Sequence, residues 1–196
     1  MFYDAVKNDH GLAQDPFKAI VAPRPIAWIS TLSPAGVANL APYSFFNAFA
    51  QAPHYVAFGS GPPKDSLRNI EATGEFAVNF VTWDLREGMN ATSAHVAADE
   101  FELAGLAKAP CRLIRPPRVA ASPACLECRL YRIIPLPDDD GKAEDNMVIG
   151  RVIGIHIADR YIADGRVDTV AMRLIARLGY SEYATVTEAW RMRRPD

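Results

Sequence analysis

The sequence predicts a mainly β, antiparallel domain with a few helices, and three observations carry that expectation. Residues 126–134 and 147–157 are two long β-prone runs on either side of Asp138-Asp139-Asp140-Gly141, a composition that turns a hairpin. Glu75 to Val81 alternates, so that Phe76, Val78 and Phe80 share one face of a strand. Ser33-Pro34-Ala35-Gly36 separates Ile26-Ala27-Trp28-Ile29 from Val37-Ala38-Asn39-Leu40 and predicts a further hairpin.

In chain order, Phe17 to Val21 reads as a short strand, divided from Ile26–Ile29 by the stiff Pro23-Arg24-Pro25. Ser30 and Thr31 then stand where the first hairpin strand ends. Phe45–Phe49 and Tyr55–Phe58 supply more aromatic and β-branched segments. Asp65 or Ser66 can cap a short helix with Leu67 and Ile70 on its inner face. Residues 83–108 read as a helical excursion from the sheet: Leu85, Met89 and Ala91 to Ala98 favour helix, and Asp99–Leu103 adds another turn. Residues 109–123 are proline-rich and irregular, with a short strand near Leu113. Within 147–157, Ile149, Ile153, Ile155 and Ile157 fall on one face, and Val148, Gly150, Val152, Gly154 and His156 on the other. Two strand glycines beside a histidine predict close contact with another group. Residues 187–196 end in a basic, solvated tail.

At 196 residues, with 49% hydrophobic and 22% charged side chains, the chain fits one soluble domain over 1–196. A net charge of −2 argues against nucleic acid or an anionic membrane as the main partner. No apolar run has the length of a membrane span, and residues 1–15 lack a secretory pattern, so the expected location is cytoplasmic. Cys125-Leu126-Glu127-Cys128 has the spacing of half a zinc site. There is no second pair, His10, His54, His95 and His156 are scattered, and strand positions three apart point to opposite faces. Free thiols are therefore expected at Cys111, Cys125 and Cys128, and no metal site.

Two loops carry the candidate chemistry. Gly59-Ser60-Gly61-Pro62-Pro63-Lys64 begins like a dinucleotide-binding loop, but lysine stands at the third glycine and two prolines remove amides. What remains is Lys64 as a point charge, the Ser60 and Ser66 hydroxyls, and the start of a helix, which together suit a phosphate monoester. Ser30 and Thr31 are placed to donate from the other side. A capped surface helix with a solvated lysine is the equal alternative. In Asn39 to Phe46, polar Asn39, Tyr43 and Ser44 lie in an apolar run, which suits a planar heterocycle; a core turn whose amides pair internally is the alternative. No Ser-His-Asp arrangement is visible, and no side-chain nucleophile is expected.

The order Pro23-Arg24-Pro25-Ile26-Ala27-Trp28-Ile29-Ser30-Thr31, then Gly36, then Asn39-Leu40-Ala41-Pro42-Tyr43-Ser44-Phe45-Phe46, then Lys64-Asp65-Ser66-Leu67-Arg68-Asn69-Ile70 resembles the flavin reductase-like family of flavoredoxin-type, FMN-binding split barrels. The likeness continues through Val148–Ile157 and Arg177–Tyr183 and covers about residues 16–184. It implies an antiparallel, Greek-key split β-barrel, a homodimer, and FMN bound near the subunit interface. Ser30, Thr31, Lys64 and Ser66 would then hold the phosphate and ribityl end. Asn39, Leu40, Ala41 and Ser44 would meet the isoalloxazine edge, and His156 would lie near the ring or the partner subunit. The implied function is an NAD(P)H-dependent flavin reductase; an FMN-containing electron carrier without nicotinamide chemistry is the alternative. Two departures, Tyr180 where a second glycine is common and Arg151 where an acidic residue is common, bear on substrate access and nicotinamide preference.

Overall fold

The computed structural model describes residues 1–62, 64–94 and 99–195. In chain order these form α1 (Phe17–Ile20), β1 (Arg24–Pro25), β2 (Ala27–Leu32), β3 (Ala38–Tyr43), β4 (Phe46–Gln51), β5 (His54–Ser60), α2 (Asp65–Thr73) and β6 (Glu75–Asn79). A 3-10 turn at Trp83–Leu85 leads into α3 (Arg86–Ala91), followed by α4 (Glu100–Leu103), β7 (Lys108–Ala109) and β8 (Arg118–Val119). The long hairpin is β9 (Ala124–Pro137) and β10 (Ala143–Ile157). After it come β11 (Ile162–Ala163), β12 (Arg166–Val167), β13 (Ile175–Arg177) and β14 (Tyr183–Thr185).

Seven antiparallel strands run in the order β3-β2-β6-β9-β10-β5-β4. The sheet coils on itself, because inward side chains from both of its halves meet in one core. Ala27, Ile29, Tyr43, Phe46, Val56, Phe58, Phe76, Val78 and Val148 are all buried together there, with Leu67 and Ile70 of α2 closing one end. The alternate residues of β2 and β3, Trp28 and Leu40, face outward into a second core with Val81, Met89, Phe101, Val119 and Ile175. The outward face of β2 and β3 thus has its own helical cover, and both faces of these strands are buried. This is an antiparallel split β-barrel.

Several local expectations are corrected. Phe17 to Ile20 is one helical turn, not a strand, because the Asp15 carboxylate accepts the Phe17 N–H at 2.7 Å and the chain turns before it can pair. The cap of α2 is Lys64, which is extended at φ −104° and ψ 173°, and no side chain caps the helix; Ser66 turns its hydroxyl inward instead. No strand forms at Leu113, whose N–H is taken by the Glu127 carboxylate at 2.6 Å. The helical stretch expected up to residue 98 is seen as α3 to Ala91, while residues 95–98 lie outside the described residues.

The faces of β10 also differ from simple alternation. A register shift between Val152 and Gly154 opposite β9 reverses the side to which residues point. Gly150 therefore faces the barrel core, where a Cβ would stand 2.2 Å from Phe76 Cζ, whereas Gly154 faces outward against Leu113 and Glu127. Both glycines admit the protein's own side chains. Cys125 and Cys128 do fall on opposite faces of β9, one in an outward cluster and one in the barrel core, and both are free thiols. No helix of the described residues is long and apolar enough to cross a membrane.

Gly150→Ala should destabilise the chain by roughly 1–3 kcal/mol, because the Phe76 ring is packed on all sides and cannot move aside cheaply. Urea unfolding of the two proteins checks this; equal midpoints would show that the core has slack at this point.

Candidate functional site

Two adjoining cavities open where the N-terminal turn, the end of β3, the end of β5 and the β13–β14 turn converge. They share Arg24, Ser44, Phe45 and Gly59 as a common wall. The first, about 750 Å³, is an apolar slot built chiefly from Phe17, Ile20, Phe45, Phe46, Phe49 and Met147. The second, about 580 Å³, is lined by the cations Lys18, Arg24, Lys64 and Arg177, with Tyr43 and Tyr180. The joined cleft is apolar at one end and strongly cationic at the other.

Local sequence explains the wall. Gly59 brings its N–H to the Phe45 carbonyl at 2.7 Å, and a Cβ there would stand 3.1 Å from that of Phe45. With no Cβ at Gly59 the two segments pack closely without displacement, and Phe45 lines both cavities. Two cations then flank that ring, Lys18 Nζ at 5.9 Å and the Arg24 guanidinium at 5.7 Å from its centroid. Arg24 is buried between stiff prolines and donates to the carbonyls of Lys18 (2.5 Å), Val21 and Leu178 (2.9 Å). It fastens the N-terminal turn to the segment after β13. Burial, and secondarily the like charge of Arg177, lowers its pKa from the ordinary arginine value.

Arg177 lies over the Tyr183 ring at 4.6 Å and donates to the Tyr183 hydroxyl at 2.5 Å and to the Tyr180 carbonyl. Tyr180 has a φ of 52°, in the left-handed region that glycine enters without cost. The backbone here has the conformation for which a second glycine would serve, and the chain spends strain to put a phenol at the mouth of the cleft instead.

Behind the cleft is a buried polar network. Asn39 Oδ1 accepts the Ser66 hydroxyl at 2.7 Å, with the Thr31 hydroxyl at 3.4 Å, and its Nδ2 donates to Glu100 at 2.9 Å. Asn69 Nδ2 donates to Thr31 at 3.0 Å, and the second Glu100 oxygen accepts the Leu40 N–H at 3.0 Å. Burial raises the Glu100 pKa, opposed by the donors from Leu40 and Asn39. Tyr43 adjoins this network. Burial raises its phenol pKa too, tempered by the nearby Ser66 and Ser60 hydroxyls, although neither reaches Tyr43 Oη with hydrogen-bonding geometry.

The predicted residues thus fall into three groups. Ser44 and Lys64 line the cleft, and Ser60 sits buried between the lining residues Gly59 and Gly61. Thr31, Asn39, Leu40 and Ser66 are gathered in the network behind it with their polar groups paired, while Ala41 packs against the barrel core. Ser30 points to the far side of β2 and donates to the Pro117 carbonyl. His156 lies apart, in a separate cavity beside Arg112 and Arg118, and burial and those two charges lower its pKa. Sequence reasoning missed Lys18, Arg24, Glu100 and Arg177, while Tyr43, read with Asn39 and Ser44 as a polar group in an apolar run, does line the cleft. Arg24 had a local signal, a cation locked between two prolines; Glu100, distant along the chain from Asn39, had none.

The chain belongs to the flavin reductase-like family: residues 21–171 match the family described as "Flavin reductase like domain". An uncharacterized protein of Halalkalibacterium halodurans is 36% identical over 182 residues, covering 89% of this chain and 87% of that one. Nitrilotriacetate monooxygenase component B from Bacillus cereus superposes with a TM-score of 0.88 at 28% identity, over 98% of both chains. The 2-nitrobenzoate 2-nitroreductase NbaA of Pseudomonas fluorescens superposes at 0.82 with 30% identity, over 91% of this chain and 88% of the other. A flavin-related oxidoreductase role is thus supported by family and by neighbours.

The Glu100 shift has a sign that can be measured. A carboxyl that holds its proton more tightly when folded favours folding below its unfolded value, near 4.5, and that contribution is lost as pH rises through its raised folded value. The stability of the native chain relative to Glu100→Gln should therefore fall as pH rises from about 4.5 upward. Paired urea titrations check this; a difference that grows with pH would mean that Glu100 is stabilised as the anion.

Proposed function

We propose that the joined cleft holds FMN and that the protein is an NAD(P)H-dependent oxidoreductase of the flavin-reductase type. The observation that carries this reading is the coincidence of charge, shape and unmet polar groups. Among the described residues, the buried side-chain polar atoms without a hydrogen-bond partner are Arg24 Nε, Tyr43 Oη and Ser60 Oγ. Arg24 and Tyr43 line the cationic cavity, and Ser60 stands between two of its lining glycines. Buried donors of this kind are normally satisfied, and an anionic ligand with hydroxyls along its length suits all three.

Lys64, Lys18 and Arg177 would hold the phosphate, with Ser44 and the Ser60 hydroxyl beside the ribityl chain. The slot between Phe45, Phe46 and Phe49 would take the flat ring, shielded from water by apolar walls. Asn39, Thr31 and Ser66 act through Tyr43 and the start of α2, keeping both in place. His156, in its separate cavity, has no contact with this cleft. Bound FMN would supply two-electron chemistry between a nicotinamide donor and an acceptor. The protein's own part is position, charge and exclusion of water. The exposed Phe49 of β4 and Leu136 of β9 beside the slot, with Tyr131 further along β9, support a second copy of the chain packing there, as in a homodimer.

The purified protein should show a flavin absorption spectrum, and denaturation should release FMN in near one-to-one ratio with the chain. Lys64→Ala should weaken FMN binding roughly 10- to 150-fold, the worth of one charge-assisted contact of about 1.5–3 kcal/mol. Unchanged affinity would remove Lys64 from the site. Stopped-flow mixing with NADH and NADPH should bleach the bound flavin at catalytic speed with at least one donor. Slow bleaching with both would identify an electron carrier instead.

A further inference from the structure

The fold brings together two cysteines that the sequence leaves apart. Cys125, fully buried on the outward face of β9, clusters with Ala77 and Ile114, and the half-buried Cys111 packs against that cluster from the loop above. The loop is fixed there by two devices. The Glu127 carboxylate accepts the N–H groups of Arg112 at 2.9 Å and Leu113 at 2.6 Å, and Gly154, lacking a Cβ, leaves room for Leu113 to lie close. Cys111 also lines a cavity of about 690 Å³ together with Arg112, Arg118 and His156. Cys128, which shares the Cys-x-x-Cys spacing with Cys125, points into the barrel core and takes no part.

The two thiols differ in character. Cys111 is held below the ordinary thiol range, chiefly by the neighbouring Cys125 thiol, with Arg118 adding to the effect and burial and Glu127 opposing it. Cys125 is pushed well above that range by the neighbouring Cys111 sulfur and by burial, so it keeps its proton. A half-buried thiol lining an open, guanidinium-bearing cavity, packed against a fully buried one, is the arrangement of an attacking and a resolving cysteine.

We propose that Cys111 is a hydroperoxide-reactive thiol that closes a disulfide with Cys125. The Cys111 sulfur attacks hydrogen peroxide, the O–O bond breaks, Cys111 becomes a sulfenic acid, and the departing hydroxide takes up a proton. The Cys125 sulfur then attacks the sulfenic sulfur; its proton and the sulfenic hydroxyl leave as water. Two thiols lose two electrons in total, and one peroxide is reduced to two waters. Because Cys111 sits on the Glu127-tethered loop, closure draws that loop onto β9 and reshapes the cavity of Arg112, Arg118 and His156. This inference is independent of flavin binding.

The test uses the reduced native chain with hydrogen peroxide at neutral pH. The intact mass should fall by about 2 Da, the loss of two thiol hydrogens. Peptide mapping should find the Cys111–Cys125 crosslink, formed at least about tenfold faster than free cysteine is oxidised. Cys125→Ala should leave a sulfenic acid at Cys111 that a dimedone probe captures, and Cys111→Ser should abolish the mass loss. A crosslink through Cys128, direct passage of Cys111 to sulfinic acid in the native chain, or a rate equal to that of free cysteine would overturn the proposal. The native-chain result stands even if the Cys125 variant fails to fold.

Discussion

The structure depends on the amide of Asn39. From one side chain on β3 it receives the hydroxyls of Ser66 and Thr31 and reaches Glu100, so a strand pair, the helix α2 and the helix α4 are joined at one buried point. Such a network is worth having only when every member is satisfied, since a buried carboxylate stripped of its donors costs several kcal/mol. Here Glu100 is satisfied by a side chain and by the Leu40 N–H, which also fixes the backbone just before Ala41, Pro42 and Tyr43. The position of Tyr43 at the cleft, and of Lys64 at the start of α2, both follow from that junction.

In front of the junction the protein changes chemistry over a short distance. Phe45 is the boundary. Its ring belongs to the apolar slot, yet Lys18 and Arg24 stand against it. Arginine and aromatic groups tolerate this closeness, because the ring quadrupole attracts the cation while the ring plane still presents apolar surface to a ligand. On the proposed reading, such a cleft would discriminate by length, favouring a ligand that carries its charge a fixed distance from its flat portion. Tyr180, held in a left-handed conformation, lines the cationic end of the cleft and is one of the two positions at which this chain departs from the pattern its motifs resemble.

Much of the fold was legible in the sequence because it is written in short-range patterns. The alternation of Phe76, Val78 and Phe80, the Ser-Pro-Ala-Gly and Asp-Gly turns and the long runs around them each define a strand without reference to the rest of the chain. The errors arose where a group outside the segment decided the outcome. Phe17–Ile20 had strand composition but turns into a helical turn whose first N–H is held by the Asp15 carboxylate, and Leu113 lost its N–H to Glu127. Gly150 and Gly154 looked equivalent until a register shift turned them to opposite faces. The same limit applies to the site. Lys64, Ser60 and Ser44 carried a local signal, whereas the cations from Lys18 and Arg177 enter the cleft from the two ends of the chain and no spacing rule links them.

The Arg24 clamp also sets when the site can exist. Its guanidinium joins carbonyls at residues 18 and 21 to the carbonyl of Leu178, a contact between residues 154 apart in sequence. During synthesis the barrel strands up to Ile157 can emerge and pair while the cleft still lacks one wall. The cleft is therefore complete only once the segment that carries Leu178 has been made and has packed back onto Arg24.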